Sequence, residues 1–165
     1  MTPLLSVLLF LHVITAIVAF GPGFAFPLIG GLAGKHPQHA GFAVEAFELI
    51  EKRMTLPLAL TMPVTGVAMI LVAGINPLVP WLAIAIVLYV IALGYAILVQ
   101  NPTVAELVGE MRGMAMAGPG AASASEMAGP PPKIAALTAK TARGGQILSL
   151  LVVAIVFLMV TKIGA

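Results

Sequence analysis

Long stretches without a charged side chain alternate with short charged segments along this chain of 165 residues. Residues 1–34, 54–105 and 144–161 contain no Asp, Glu, Lys or Arg. A helix that crosses a bilayer needs about 20 consecutive, mostly apolar residues. The first and third stretches therefore predict one membrane span each, and the second stretch is long enough to predict two.

A cluster of turn-forming residues divides the second stretch. Its sequence from Gly74 to Pro80 is Gly-Ile-Asn-Pro-Leu-Val-Pro, which combines the residues that most strongly interrupt a helix. We therefore predict an all-α, polytopic membrane protein: a bundle of four transmembrane helices in a single membrane domain over residues 1–165. The predicted spans are about 4–33, 55–74, 80–100 and 145–161.

The first span contains Gly21-Pro22-Gly23 and, further on, Pro27. A proline inside a helix removes a hydrogen-bond donor and clashes with the carbonyl four residues earlier, so we expect the first helix to be kinked or broken near residues 21–27. Glycine and proline also occur in membrane helices simply because they shape packing. No basic residue precedes this apolar run, which is too long for a secretory signal, so we interpret it as a retained helix.

The segments between the spans are of two kinds. Residues 40–53 place Glu45, Glu48 and Glu51 among apolar side chains, which predicts an amphipathic helix leading into the second span. Residues 114–132 are rich in Ala, Gly, Ser and Pro, a composition that cannot bury a core and predicts a flexible linker. Helical extensions of the third and fourth spans are predicted at 103–112 and 133–143.

Composition excludes several classes of protein. The chain is 61% hydrophobic and 8% charged, whereas a soluble domain carries about 25% charged residues. This balance indicates a protein whose main partner is the lipid bilayer, and it excludes a soluble enzyme and a nucleic-acid partner. Because there is no cysteine, disulfides, iron–sulfur clusters and thiolate zinc sites are also excluded.

The positions of the basic residues predict the orientation. Seven of the eight Lys and Arg side chains lie in the two charged segments that follow the first and third spans, and only Lys162 lies elsewhere. Loops rich in Lys and Arg stay in the cytoplasm. We therefore predict a multi-pass protein of the cytoplasmic membrane, with both charged segments in the cytoplasm and both termini outside.

One predicted layer of polar side chains lies inside the spans. Apart from tyrosine, His12 is the only ionisable side chain inside the predicted spans. Placing an ionisable side chain in lipid is energetically costly. At 1.5 Å per residue, His12 lies roughly 12 Å below the outer surface, and Thr65 and Tyr89 lie at about 14 Å. We therefore expect His12, Thr65 and Tyr89 to lie at similar depth, with Met69 as a possible neighbour.

Three interpretations of His12 are open. A neutral histidine that hydrogen-bonds to Thr or Tyr would hold helices together. His12 could instead bind haem b, with Met62, Met69 or His12 of a second copy as the other axial ligand. The third interpretation is a proton relay or a substrate site.

Two other groups contain side chains that can bind metals. His36 and His39 are close in sequence and could share a metal with Glu45 or Glu48, although solvated histidines are the alternative. Met111, Met114 and Met116 have the thioethers that suit Cu(I). No nucleophile, phosphate-binding loop or acid–base pair is recognisable, so we do not expect an enzyme.

Two runs in the first span resemble a known family. Leu11 to Ala16 reads Leu-His-Val-Ile-Thr-Ala, and Ala19 to Leu28 reads Ala-Phe-Gly-Pro-Gly-Phe-Ala-Phe-Pro-Leu. These runs, and the tail from Gly144 to Val160, resemble the predicted integral membrane proteins called domain of unknown function 2269. The likeness covers nearly the whole chain apart from 114–132. It implies four helices and a histidine in the first span, and it implies no established activity. A more distant similarity is to the copper-resistance D membrane proteins.

Three functions are compatible with these features. The first is a structural or accessory role in a membrane assembly, either as a homo-oligomer or beside other membrane subunits. The second is a haem b-binding redox protein that uses His12. The third is an oligomeric transporter of a small solute or a metal ion.

Overall fold

The computed structural model describes residues 2–36, 39–116 and 131–163, and within these ranges the chain is helical with short connections and no strand. Four continuous helices are long and apolar enough to cross a membrane, which confirms the predicted all-α, four-span architecture. The α-helical elements are α1 (Pro3–Lys35), α2 (Ala40–Ile50), α3 (Leu56–Ala73), α4 (Pro80–Tyr95), α5 (Asn101–Met116) and α6 (Pro132–Thr161).

Two of the four long helices are composite. A π-helical segment, Glu51–Thr55, joins α2 to α3, and a second one, Ala96–Gln100, joins α4 to α5. We refer to them as the first and second π segments. The two composite helices contact each other through α2 and α5. Each has one apolar half and one half that carries charged residues, and each π segment lies where the two halves meet.

Proline accounts for the position of both π segments. Pro57 and Pro102 each follow a π segment by two residues. The carbonyl that a proline ring would strike belongs to the residue four positions earlier. Those residues are Arg53 and Leu98, the central residues of the two segments. The wider π-helical turn separates ring and carbonyl, so the helix continues.

Helix α1 passes both of its prolines without interruption. Thr2 caps its first turn, since Leu5 N donates to Thr2 Oγ1 at 3.3 Å, and the helix continues through Pro22 and Pro27 to Lys35. Of the two expectations for this span, a broken helix is therefore ruled out. Its inward face is a stripe at helical spacing, formed by Leu5, Leu8, His12, Thr15, Ala19 and Phe26.

The packing between spans is dominated by two pairs. Helix α1 packs chiefly against α3, α4 packs chiefly against α6, and α1 also contacts α6. Large apolar side chains on the outer faces remain exposed, for example Leu71 at 76% and Leu150 at 70%. In a bilayer this surface faces lipid, because association between spans depends on close packing rather than on removing apolar area from water.

A tight turn connects α3 and α4 at the position predicted from the sequence. Gly74 ends α3 with a φ of 64°, a left-handed conformation that suits glycine. Asn76 Oδ1 accepts a hydrogen bond of 2.9 Å from Leu78 N, and Pro80 begins α4. At the same end of the bundle, Lys162 Nζ lies 5.8 Å from the centre of the Trp81 ring, a cation–π arrangement. We call this the turn end.

Helices α2, α5 and the first half of α6 pack together beyond the spans, at what we call the charged end. Leu107 on α5 forms a buried cluster with Ile134 and Leu137 of α6. Val44, Met111 and Met114 pack against it. This contact explains why α5 extends to Met116, into the stretch predicted as a linker from residue 114. The rest of that predicted linker, 117–130, lies outside the described residues.

Ion pairs connect the same three helices. Arg112 on α5 approaches Glu45 at 3.1 Å and Glu48 at 3.5 Å, both on α2. Lys133 at the start of α6 approaches Glu110 at 2.6 Å and Glu106 at 3.2 Å, both on α5. Hydrogen bonds to Glu110 and then Glu106 raise the pKa of Lys133. Apart from Glu48, which is mostly buried, these side chains are partly or largely exposed, so the pairs orient the helices more than they stabilise them.

Candidate functional site

His12 and Thr65 meet inside the bundle. His12 Nδ1 lies 2.7 Å from Thr65 Oγ1, which joins the first span to the second. The next residue on α3 is Gly66, and a methyl group added there would lie 3.6 Å from His12 Cε1. This distance is an ordinary van der Waals contact, so the imidazole ring packs against α3 beside Gly66 with room for a methyl group.

The position of the hydroxyl proton of Thr65 determines the tautomer of His12. Thr65 Oγ1 also lies 3.0 Å from the carbonyl oxygen of Met62, to which it donates a hydrogen bond. Because a hydroxyl has only one proton, a Thr65 hydroxyl that donates to Met62 accepts the hydrogen bond from His12 Nδ1. We therefore assign the neutral tautomer with the proton on Nδ1, which leaves Nε2 with a free lone pair.

The second ring nitrogen of His12 is not used within the bundle. Nε2 forms no hydrogen bond with the described residues. It is also not one of the buried polar atoms that lack a partner, so it is accessible at the surface. The side chain as a whole is half-buried. His12 thus presents an unprotonated nitrogen at the surface of the apolar part of the bundle.

Tyr89 bonds to a different part of α3. Its hydroxyl donates to the carbonyl of the buried residue Ala59, which ties α4 to α3. Ala59 precedes Thr65 by six residues, or about 9 Å along the helix. The structure therefore brings His12 and Thr65 together, while the Tyr89 hydroxyl reaches toward the charged end.

The two methionines considered as axial ligands flank Thr65 on one face of α3. Met62 is one turn before Thr65 and is buried, with 7% of its surface exposed. Met69 is one turn after Thr65 and is half-buried. Both lie on the helix that His12 packs against.

His36 and His39 lie at the connection between α1 and α2. Their ring centres are 6.5 Å apart, and both side chains are exposed. No group of three or more His, Cys, Asp or Glu side chains is placed to hold a metal within the part of the chain that the structure describes. The two histidines therefore meet each other without a third ligand of this kind.

A second polar cluster, which the sequence analysis missed, lies beside the second π segment. Gln100 Nε2 donates to the carbonyl of Thr141 on α6 at 3.1 Å. Gly144, one turn further along α6, is buried. A Cβ at Gly144 would lie 2.0 Å from Gln100 Oε1 and 3.0 Å from the Tyr95 hydroxyl oxygen. The missing side chain of Gly144 thus makes room for Gln100.

A third polar group lies where the first π segment faces α5. Glu51 and Asn101 line one small hollow there, together with Glu48, Lys52, Val104 and Ala105. Burial raises the pKa of the Glu51 carboxyl. Asn101 Oδ1 and Thr55 Oγ1 are both sealed from solvent without a hydrogen-bond partner among the described residues.

The sequence does contain a signal for the polar residues beside the two π segments. In both composite helices a polar residue stands two positions before the proline that follows the π segment: Thr55 before Pro57, and Gln100 before Pro102. Proline within an apolar helix marks the place where backbone and side-chain polar groups need new partners.

The fold and these polar groups define a four-helix integral membrane protein whose polar side chains join neighbouring spans. The model of the family described as predicted integral membrane protein, domain of unknown function 2269, matches residues 6–163. The chain belongs to this family. Neither the curated proteins nor the solved structures contain a match.

The hydrogen bond between His12 and Thr65 predicts a measurable coupling. In a cycle of His12→Ala, Thr65→Val and the double variant, we expect a coupling free energy of about 0.6 kcal/mol and at most about 1.7 kcal/mol, the range for hydrogen bonds between membrane helices. Unfolding in mixed detergent micelles measures it. Thr61→Val is the control, because Thr61 bonds to Leu58 of its own helix and should show no coupling to His12. Additive effects of His12 and Thr65 would contradict the assignment.

The contact at Gly144 predicts a difference between neighbouring glycines. Gly144→Ala should lower the free energy of unfolding by about 1–3 kcal/mol, because the added methyl displaces the Gln100 side chain from its hydrogen bond. Gly145→Ala is the matched control, since a Cβ there meets nothing within 4 Å. It should leave stability unchanged or raise it by about 0.5–1 kcal/mol. Equal effects at both positions in the same unfolding assay would refute the contact.

Proposed function

We propose that this protein is a non-catalytic, structural or accessory subunit of a membrane assembly, with His12 as the point at which it contacts a partner. The observation that carries the proposal is that His12 Nε2 has no hydrogen-bond partner among the described residues and is not enclosed within the bundle. The hydrogen bond between Nδ1 and Thr65 supports it, because that bond fixes the direction of the ring.

A partner explains this nitrogen better than lipid does. A polar atom without a hydrogen bond costs several kcal/mol in the hydrocarbon region, where no water is available. Polar side chains within membrane spans accordingly face protein or a water-filled cavity. A donor from a neighbouring helix, in a second copy or in another subunit, would satisfy His12 Nε2.

Haem b is the second candidate partner, and the same geometry favours it. Histidines that bind metals donate a hydrogen bond from one ring nitrogen and coordinate with the other. His12 has this arrangement, with Nδ1 on Thr65 and Nε2 free. The haem would be held by His12 together with Met62 or Met69 on α3, or with His12 of a second copy. The haem would supply one-electron chemistry, and the chain would hold and orient it.

The partner hypothesis predicts that assembly depends on His12. In native mass spectrometry from mild detergent, the wild-type protein should appear as a homo-oligomer or with a copurified membrane subunit, and His12→Ala should release the monomer. Tyr89→Phe is the control, because that hydroxyl bonds within the chain. A monomer for the wild type and for both variants would contradict the proposal.

A visible spectrum of the same samples separates the two candidate partners. After haem supplementation, a Soret band that His12→Ala abolishes and Tyr89→Phe retains would assign the partner as haem. Assembly that depends on His12 without such a band would assign it as protein.

We further propose that the charged end faces the cytoplasm and that both termini lie outside the cytoplasmic membrane. Seven of the eight basic residues support this orientation, because they lie in the two charged segments that follow the first and third spans.

The absence of cysteine allows a direct test of the orientation. In intact cells, a membrane-impermeant maleimide should label Thr2→Cys and should label Glu110→Cys only after permeabilisation. Thr2 is exposed at the start of α1, and Glu110 lies at the charged end. Labelling of Glu110→Cys alone in intact cells would reverse the orientation.

A further inference from the structure

Two exposed basic side chains stand where α6 enters its membrane span, and the proposed assembly gives them no role. We propose that this face of α6 binds an anionic phospholipid, whose phosphate is held by Lys140 and Arg143 and whose ester carbonyl accepts a hydrogen bond from Gln146. The face belongs to a different helix from His12 and Thr65, so the inference goes beyond the proposed function and does not depend on it.

The uncharged run in α6 gives the depth of these side chains. Residues 144–161 contain no charged side chain, and Arg143 and Lys162 stand at the two ends of the run. At 1.5 Å per residue the run is about 27 Å long, close to the thickness of a hydrocarbon core of about 30 Å. Arg143 therefore lies at the level of the lipid phosphates. Lys140 lies one turn further out, and Gln146 lies one turn further in, where the ester groups are.

Helical spacing places polar and apolar side chains of α6 in one outer stripe. Lys140, Arg143 and Gln146 follow each other at intervals of three residues, so each is a neighbour of the next on the helix surface, and all three are exposed. Ile147 and Leu150 continue the stripe into the span, with 45% and 70% of their surfaces exposed. From the membrane surface inward, the stripe thus offers cations, then an amide, then apolar side chains, which matches the order of phosphate, ester and acyl chain in a phospholipid.

The two cations of the stripe are not neutralised by the described part of the chain. Lys52, Arg112 and Lys133 pair with glutamates of α2 and α5, whereas Lys140 and Arg143 form no ion pair with any described residue. A phosphate supplies the opposite charge. The guanidinium of arginine can donate two parallel hydrogen bonds to a phosphate, and the ammonium of lysine adds a second positive charge beside it.

The amide of Gln146 favours a lipid over a soluble anion. This side chain is exposed within the uncharged run, where little water is available and a polar group without a partner is costly. The ester carbonyl of a phospholipid lies at this depth and can accept a hydrogen bond from it. An inorganic phosphate would contact the two cations and would leave the amide and the apolar part of the stripe unused.

Lipid binding to the delipidated full-length protein tests the site. The protein in mild detergent is titrated with phosphatidylglycerol or phosphatidylcholine, and bound lipid is measured by native mass spectrometry. We expect the wild type to prefer phosphatidylglycerol. Lys140→Gln with Arg143→Gln should weaken the binding of that lipid by about 25-fold, since each cation near an anionic headgroup contributes about fivefold. Both side chains are exposed, so we expect this double variant to fold.

Two further variants and a competitor make the test specific. Arg143→Lys keeps the charge and should retain most of the preference for phosphatidylglycerol. Lys35→Gln is the matched control, because Lys35 is also exposed and forms no ion pair with the described residues but lies at the end of α1. It should bind as the wild type does, and millimolar inorganic phosphate should not displace the lipid.

Three results would overturn the proposal. The first is an unchanged affinity for phosphatidylglycerol in the double variant of Lys140 and Arg143. The second is a loss of the same size for each charge removed in Lys35→Gln, which would assign the preference to net charge rather than to this face. The third is displacement of the lipid by inorganic phosphate, which would assign the two cations to a soluble anion.

Discussion

Every polar group in the apolar part of this protein has to be satisfied without water, and this constraint shapes the bundle more than any other. The hydroxyl of Thr61 bonds back to Leu58 within its own helix, and the hydroxyl of Tyr89 bonds to the backbone of the neighbouring span. The His12–Thr65 pair combines both solutions, because Thr65 serves its own helix and the next at the same time. Hydrogen bonds between spans are therefore formed where a polar atom needs a partner, and the outer apolar surface is left to lipid.

The spans themselves follow from the sequence because hydropathy and turn residues are local properties. The turn at Gly74–Pro80 was predicted correctly, and so was the continuation of the third and fourth spans as helices. The sequence also placed His12 near Thr65, since depth in a bilayer can be counted at 1.5 Å per residue. The rotation of each helix cannot be counted in this way. For that reason the partner of Tyr89, a carbonyl about 9 Å from Thr65, appeared only in three dimensions.

The packing of the charged end could not be predicted from the sequence, for a different reason. The sequence predicts the helical segments of this end but not their association, which depends on how Leu107 of one helix packs against Ile134 and Leu137 of another. The contact between Gly144 and Gln100 could not be predicted from the sequence either. Its importance is visible only in three dimensions, where the Gln100 side chain occupies the place of a Gly144 side chain. The two π segments were not predicted, because Pro57 and Pro102 do not by themselves show how a helix accommodates a proline. The offset from proline explains their positions, although Pro63 shows that a proline in this protein does not always produce one.

The composite helices have a mechanical consequence. Each is a continuous rod that extends from the membrane into the charged end, and its widened turn lies at the boundary. If such a turn moves along the rod by one residue, every side chain between its old and new positions changes register, by about 100° of rotation in a helix of 3.6 residues per turn. The register of the rest of the rod stays the same, so a shift of the widened turn would reorient side chains at the boundary without rotating the span in the bilayer.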